Sequence, residues 1–334
     1  MLNRMIKGLL LTLAMLAAVP AAEAAIHRCF DASGKATFQD KACGPGTVSQ
    51  TPAVESDSAD VAAGRHLLWK VTGQRGTAYL VGSIHFGTPD MYPLPVEMTR
   101  AYGSSQALVV ETNLTALDPT RMTQIVAAKA MYSDGTTLSH VLTPQTWKEL
   151  DQALKKFGAS AQLVERQKPW FVSMTLTSLA LRRFGFNEEL GIDNHFMKLA
   201  NSTHKPILEL ETFQQQLDFL DGFSNAEQEQ MLKETFQDID KGKEFLANTL
   251  RAWKRGDAQK IDDLMNVELR SGGDADEHIY QVLVAGRNVA MADKLARLLE
   301  RGGRYFVVLG AAHFVGKDGI VELLKAKGYQ VQQH

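Results

Sequence analysis

Two apolar segments near opposite ends of the chain end in the same short pattern. Residues 79–86 read YLVGSIHF, and residues 305–314 read YFVVLGAAHF. A short apolar run bounded by polar residues predicts a buried strand, and the glycine that follows lets the backbone turn tightly. His85 and His313 therefore lie just past the C-terminal ends of two strands, which is where ligands bind in open α/β sheets.

Carboxylates follow two further apolar runs in the same way. Glu111 comes directly after the run 107–110, and Glu211 comes after the run 207–210. Burying a carboxylate is costly unless it is paired or bound to a metal. Glu111 is therefore expected either to bind a metal ion or to form a salt bridge with an arginine. Glu209 and Glu211 share one face of their strand, and we expect only Glu211 to point into a site.

The sequence predicts an α/β domain of α+β character with a long helical middle region. Strands are predicted over 66–71 and 77–81 as a hairpin, and over 107–110, 207–210 and 305–309 as strands buried on both faces. The strands cluster toward the two ends of the domain, where the strand–GxxH unit occurs twice. Helical spacing of apolar residues is found over 119–131, 144–157, 168–184, 194–200, 225–249, 257–269 and 277–300.

The first 24 residues have the layout of a secretory signal peptide. Arg4 and Lys7 precede an uncharged Leu- and Ala-rich run over 8–22, which ends in a small-x-small sequence. Cleavage is predicted after Ala24, and an uncleaved anchor is the alternative. The run is too short for a secure bilayer span. We therefore expect a periplasmic or secreted protein without a membrane span after cleavage.

Both cysteines, Cys29 and Cys43, follow the predicted cleavage site. Turn-forming residues over 31–34 separate two short alternating runs, which predicts a small module over 25–46. In an oxidising compartment a Cys29–Cys43 disulfide would close this hairpin, and a metal site that also uses His27 is the alternative. Residues 47–65 are rich in Ser, Asp, Ala and Thr and are predicted to be a linker. The main domain then spans 66–334.

Charge and motif content exclude several functional classes. The chain has 36 Lys+Arg against 38 Asp+Glu, a net charge of −2, which argues against nucleic-acid binding as the main task. Its two cysteines also exclude a disulfide-dense scaffold. The sequence contains neither the H-E-x-x-H zinc motif nor the G-x-S-x-G elbow of serine hydrolases.

The ordered set of motifs resembles the TraB/PrgY/GumN family, to which the Tiki metalloproteases are related. The resemblance covers roughly residues 66–332 and implies that the two G-x-x-H histidines, the glutamate and the arginine form the active centre. Tiki-type members are divalent-metal-dependent proteases that act on exported or extracellular substrates. The cysteine-bearing segment resembles a short module of unknown function in exported proteobacterial proteins. The matching motifs between the two histidine segments are V-V-E at 109–111, L-G-I-D at 190–193, L-E-T at 210–212 followed by glutamines at 214–216, and R-N at 287–288.

Two imidazoles and one carboxylate, with a position left for water, are the ligands that a metal hydrolase needs. We therefore expect His85, Glu111 and His313 to bind a divalent metal, either zinc or manganese, with cobalt as a third candidate. Arg287 would stabilise a developing oxyanion or bind a substrate carboxylate. Glu211 would act as a general base or as a further ligand.

Two further residues are expected to support the metal ligands. Asp193 would either orient a ligand histidine or cap the helix that starts at Asn194. Asn288 belongs to the R-N motif and is assigned to the surroundings of the ligands.

Taken together, the sequence predicts an exported metal-dependent hydrolase, most simply a peptidase that acts on a peptide or protein terminus. One alternative is a non-catalytic periplasmic protein that sequesters a peptide or a haem-like ligand in the same cleft. The other is a metal-independent esterase that uses the His/Glu pair. A sequestering protein leaves its ligand intact, and an esterase keeps its activity after chelation.

Overall fold

The computed structural model describes residues 65–334 and, before them, two short strands, β1 (His27–Phe30) and β2 (Ala36–Gln39). These strands pair antiparallel and belong to a compact unit separate from the one that contains residues 65–334. The predicted signal peptide, Cys43 of the predicted Cys29–Cys43 disulfide, and nearly all of the predicted linker lie outside the described residues. They stay predictions.

The strands described within residues 65–334 form one mixed sheet with the order β6-β5-β7-β4-β3-β8. The four strands β4 to β7 run parallel to one another, and β3 pairs antiparallel with both β4 and β8. The predicted α/β fold is confirmed. The six strands are β3 (Leu68–Thr72), β4 (Gly76–Ser83), β5 (Ala107–Val110), β6 (Ile207–Glu209), β7 (Gly303–Gly310) and β8 (Gln330–Gln333).

The repeated strand–GxxH units lie side by side in this sheet. Strands β4 and β7 are parallel neighbours over their whole lengths, with Gly82 opposite Leu309 and Ser83 opposite Gly310. On its other side β7 pairs with β5. Because parallel strands end at the same edge of a sheet, the segments that follow β4, β5 and β7 meet at one place.

Helices precede, connect and follow these strands. The predicted helical middle is confirmed, although helices α1, α3, α7 and α13 and strand β8 were not predicted. The α-helices are α1 (Val96–Ser104), α2 (Pro119–Ala130), α3 (Leu138–Val141), α4 (Pro144–Lys155), α5 (Pro169–Arg183), α6 (Ile192–Ser202), α7 (Phe213–Asp221), α8 (Asn225–Lys254), α9 (Ala258–Asp262), α10 (Glu268–Arg270), α11 (Asp274–Tyr280), α12 (Gly286–Arg301) and α13 (Ile320–Ala326).

Two π-helical turns interrupt helices that the sequence predicts as continuous. One turn, Asp263–Val267, follows α9, and the other, Gln281–Ala285, directly precedes α12. A π-helical turn inserts one residue into the helical repeat and shifts the side chains that follow it, and such turns are frequent at functional sites.

The core lies on both faces of the central strands. Leu108, Val109, Phe306 and Val307 are completely buried, as expected of parallel strands that helices cover on both sides. A second, smaller apolar cluster joins α4, α5 and α8. No helix in residues 65–334 combines the length and the apolar character that a membrane span requires.

Strand β6 differs from its prediction. We expect 207–210 to be buried on both faces, but β6 ends at Glu209 and is the edge strand of the sheet. Leu208 is 37% exposed and Glu209 is exposed. An edge strand has a neighbour on one side only, so its apolar residues need not be covered. The chain becomes buried again at Leu210 and Glu211, after the strand has ended.

Candidate active site

The first glycine–histidine segment turns directly after β4. Trp253, at the end of α8, donates from Nε1 to the carbonyl oxygen of Gly82 at 2.7 Å and thereby holds the end of the strand. His85 is 5% exposed. The backbone at His85 packs closely against Gly191. A Cβ atom at Gly191 would lie 2.3 Å from the carbonyl oxygen of His85. Only glycine fits this contact, which explains the glycine of the L-G-I-D motif.

Asp193 contacts His85 and Ser83. Its Oδ2 lies 3.2 Å from His85 Nδ1, and its Oδ1 accepts a hydrogen bond from Ser83 Oγ at 2.7 Å. Helix α6 begins at Ile192, one residue before Asp193, and no side chain caps it. Of the two roles expected for Asp193, the geometry thus matches the orientation of a histidine.

Charge and burial act in opposite directions on the pKa values of this pair. Burial lowers the pKa of His85, but the carboxylates of Asp193 and Glu111 outweigh it, and the net effect raises this pKa. Burial raises the pKa of Asp193, but the contacts with His85 and Ser83 outweigh it and lower this pKa. Asp193 therefore carries its negative charge at neutral pH.

The second glycine–histidine segment follows β7, and His313 in it is fully buried. Its Nδ1 lies 2.6 Å from Asn288 Oδ1, while Asn288 Nδ2 donates to the carbonyl oxygen of Asp318 at 2.8 Å. Because the asparagine uses its amino group on Asp318, its oxygen faces the ring, and His313 Nδ1 must be the donor. Burial, together with the charges of Arg287 and His85, holds the pKa of His313 well below its usual value. The ring is therefore neutral.

Glu111 lies between the two imidazoles. Its Oε1 is 4.0 Å from His85 Nε2, and its Oε2 is 3.9 Å from His313 Nε2. The Oε1 atom also accepts the backbone N–H of Gly310 at 2.7 Å. Neither Nε2 atom has a hydrogen-bond partner within the described part of the chain, although both are buried.

Arg287 joins Glu111 to Glu211. Its Nη2 lies 2.7 Å from Glu111 Oε2 and 2.8 Å from Glu211 Oε2, and its Nε lies 3.0 Å from Glu211 Oε1. Burial lowers the pKa of Arg287, but the two carboxylates outweigh it and raise this pKa. The salt bridge to an arginine, one of the two alternatives for Glu111, is thus present.

Both π-helical turns hold parts of this site. Leu283, in the turn before α12, accepts from Arg287 Nη1 through its carbonyl oxygen at 3.1 Å. Asn266, in the turn after α9, donates from Nδ2 to the carbonyl oxygen of Ala312 at 3.0 Å, next to His313. The regular spacing of apolar residues gave no sign of either contact.

Gln216 is a buried site residue to which the sequence analysis assigns no role. Its Nε2 lies 3.3 Å from Glu111 Oε2 and 3.2 Å from Glu211 Oε2. Thr212 and Gln215 form a capping box that starts helix α7, and Gln216 follows on the inward face. Its place in the family-like glutamine run 214–216 was the signal available, and that run does not distinguish a buried glutamine from an exposed one.

The structure thus brings His85, Glu111, His313, Glu211 and Arg287 to one edge of the sheet, with Asp193 and Asn288 behind the two rings. Across residues 65–334, no three His, Cys, Asp or Glu side chains have the spacing of a finished metal site. The two imidazoles nevertheless fit a cation. Nδ1 of His313 faces the Asn288 oxygen and Nδ1 of His85 lies 3.2 Å from Asp193 Oδ2. This leaves both Nε2 atoms, each beside a Glu111 oxygen, as the positions that a cation would occupy.

Glu111 is the third candidate ligand, and it would share its oxygens between the ion, Arg287 and the N–H of Gly310. Space at this point depends on the glycine. A Cβ atom at Gly310 would lie 3.2 Å from His85 Nε2 and 3.4 Å from Glu111 Oε1. The space beside His85 Nε2 and Glu111 therefore exists because residue 310 is a glycine.

Comparison with known proteins identifies the family of the main domain. The model of the TraB/PrgY/gumN family matches residues 67–333. The chain belongs to this family. A second family model, described as a domain of unknown function (DUF4124), matches residues 13–63. The resemblance predicted for the main domain is confirmed, and the TraB/PrgY/gumN region contains every site residue named above.

Proteins from very different organisms are similar to this chain. An uncharacterized protein YbaP of Shigella flexneri is 28% identical over 276 residues, which cover 78% of this chain and 94% of the relative. YbaP of Escherichia coli K12 is 28% identical over 256 residues, 74% of this chain and 87% of the relative. Metalloprotease TIKI2 of Danio rerio is 22% identical over 314 residues, 79% of this chain and 60% of the relative. No solved structure matches the chain.

Proposed function

We propose that this protein is an exported, metal-dependent hydrolase that cleaves a peptide or protein near a chain terminus. The observation that carries the proposal is the pair of buried, unpartnered Nε2 atoms of His85 and His313 on either side of Glu111. Export is inferred from the signal-like first 24 residues. The peptide substrate is inferred from the family and from its metalloprotease relative.

In this proposal His85 and His313 hold the ion through Nε2, and Glu111 is the third ligand. Asp193 and Asn288 fix the orientation of the two rings through Nδ1. When bound, a zinc, manganese or cobalt ion lowers the pKa of a bound water and polarises a carbonyl group.

Arg287 and Glu211 complete the proposed site. Arg287 turns most of its donors to Glu111, Glu211 and the Leu283 carbonyl, so we assign it first to holding the two carboxylates. Stabilisation of an oxyanion then requires the guanidinium to exchange one of these contacts. Glu211 serves as the general base or as a further ligand. All these side chains are buried, so substrate reaches them through a local opening of the loops after the strands.

The proposal is tested by metal analysis and peptide digestion of the mature protein and of the double variant His85→Ala/His313→Ala. The wild type is expected to contain about one divalent ion per chain and to cleave peptides of a mixed library into fragments that mass spectrometry detects. The double variant is expected to lose both properties, since it lacks both imidazole ligands.

His204→Ala is the matched control, because His204 is exposed and lies outside the site. A wild type that holds no divalent ion, with cleavage unchanged in the double variant, would contradict the proposal. Stoichiometric binding of intact peptide without turnover would instead identify a sequestering protein.

A metal-independent esterase is the second candidate, and the contact between Asp193 and His85 favours it. A carboxylate 3.2 Å from Nδ1 is the arrangement in which a histidine serves as a general base without metal. Hydrolysis of simple esters that persists after chelation and dialysis would support this candidate over the metallopeptidase.

Gly310→Ala is expected to weaken metal binding about tenfold while leaving the fold intact. The added methyl group would lie 3.2 Å from His85 Nε2, and disturbing the surroundings of a ligand typically costs this much affinity. The backbone of Gly310, with φ −50° and ψ 134°, suits alanine, so the effect comes from the methyl group alone.

Isothermal titration with Mn²⁺ and with Zn²⁺ measures the effect of Gly310→Ala. Gly103→Ala is the control, because a Cβ atom there meets no atom within 4 Å. Equal metal affinities for Gly310→Ala and wild type would show that the ion does not bind beside Gly310.

A further inference from the structure

The side-chain amide of Gln216 forms hydrogen bonds through its nitrogen, whereas its oxygen has no partner among the described residues. The residue is 3% exposed. Its Nε2 faces two carboxylate oxygens, Glu111 Oε2 at 3.3 Å and Glu211 Oε2 at 3.2 Å. The opposite orientation would place an amide oxygen against two anions, so the carboxylates determine which way the amide points.

The oxygen of this amide is a buried acceptor without a donor. Gln216 Oε1 has no hydrogen-bond partner in the described part of the chain, and it is shielded from solvent. Arg287 contacts the same two carboxylates, and its Nη1 atom donates to the Leu283 carbonyl oxygen and not to Gln216. The N–H of Gly310 is used on Glu111. A buried acceptor of this kind costs stability unless a bound group donates to it.

A ligand bound beside Glu111 would supply this donor. The Gln216 amide contacts Glu111 through Nε2, so the Oε1 atom of the same amide group also lies close to that carboxylate. A peptide offers an N–H group at every residue except proline, whereas an ester offers none at the corresponding position. An amide oxygen at this place therefore selects for peptides.

We propose that Gln216 Oε1 accepts a hydrogen bond from a backbone N–H of the bound peptide and thereby sets the register of the peptide relative to Glu111. This inference rests on the proposed peptidase function and adds a residue that determines its specificity. Sites with a buried polar group discriminate strongly against a ligand that lacks the matching partner.

The test compares backbone esters with amides in wild type and in Gln216→Met. The probe is the library peptide that wild type cleaves best, in which each non-scissile backbone N–H is replaced in turn by an ester oxygen. In wild type, one replacement is expected to lower kcat/KM about tenfold. In Gln216→Met, the same replacement is expected to have little effect, because the acceptor has already been removed.

The expected coupling separates substrate recognition from a structural role. If Gln216 only held the two carboxylates, Gln216→Met would lower kcat/KM equally for the peptide and for every ester, and this result would overturn the inference. Gln214→Met is the matched control, since Gln214 lies on the same helix and contacts Asp218 instead of the site. Its ester profile is expected to equal that of wild type.

Gln216→Lys replaces Gln216→Met in this comparison if circular dichroism shows that Gln216→Met folds poorly. Lysine keeps a donor for Glu111 and Glu211 but removes the acceptor, so the same loss of coupling is expected. A wild type that binds metal and cleaves peptides with no sensitive ester position overturns this inference alone. A wild type that cleaves no peptide overturns the proposed function and this inference with it.

Discussion

Replacing Arg287 by methionine is expected to lower the free energy of unfolding by about 3–5 kcal/mol. The guanidinium is 2% exposed and lies within 2.8 Å of both Glu111 and Glu211. Without it, two buried carboxylates face each other with no cation between them. Removing one partner of a buried ion pair is far costlier than the net worth of the pair, because the charge left behind cannot be solvated.

Urea unfolding of the mature protein, followed by circular dichroism, measures the effect of Arg287→Met. Arg297→Met is the control, since Arg297 is exposed on the same helix, and a change within about 0.5 kcal/mol is expected. Adding Glu211→Gln to Arg287→Met should recover part of the loss, because it removes one of the unpaired charges. An Arg287→Met protein as stable as wild type would show that the three side chains are not held together in solution.

Glu111→Gln is expected to weaken metal binding and to lower kcat/KM by about 100-fold or more. Glutamine keeps the size of the side chain and still accepts the N–H of Gly310. The negative charge between the two imidazoles is lost, however, and this charge is what favours a cation beside His85 and His313. Arg287 retains Glu211 as its partner, so the fold should survive.

Metal affinity by isothermal titration and kcat/KM on the best library peptide test Glu111→Gln together. Glu209→Gln is the matched control, because Glu209 is an exposed residue on β6 whose carboxylate accepts the backbone N–H of Asn113. Its kcat/KM should stay within about twofold of wild type. Full metal affinity and activity in Glu111→Gln would exclude Glu111 as a ligand.

Much of the fold could be predicted because strands leave a local pattern. The runs before His85, Glu111 and His313 are short, apolar and β-rich, and each became a strand of the sheet. Strand β6 was predicted to be buried on both faces, but it is the edge strand of the sheet. The position of a strand within a sheet depends on its neighbours and not on its own residues. The two π-helical turns were missed for a related reason: one inserted residue changes little in the spacing of apolar side chains.

The sequence predicted most of the residues of the candidate site, but few of the contacts between them. The histidines and both glutamates were visible because each follows an apolar run with a polar group, whereas the R-N motif was assigned through its resemblance to the family. Gln216 was not visible, because a glutamine on a helix is usually exposed and its burial follows from the packing of α7. The position of Arg287 between two carboxylates likewise depends on contacts that join α12 to β5 and to the segment after β6.

The amino-acid sequence by itself determined which strands end in a histidine or a carboxylate, since strand-forming runs and the glycines after them are local properties of the backbone. Only the tertiary structure decided that β4 and β7, more than 200 positions apart, are parallel neighbours in register. This pairing depends on the total burial that the sheet order achieves, and no single segment encodes it. It is this pairing that places His85 and His313 on either side of Glu111 and turns a repeated motif into one site.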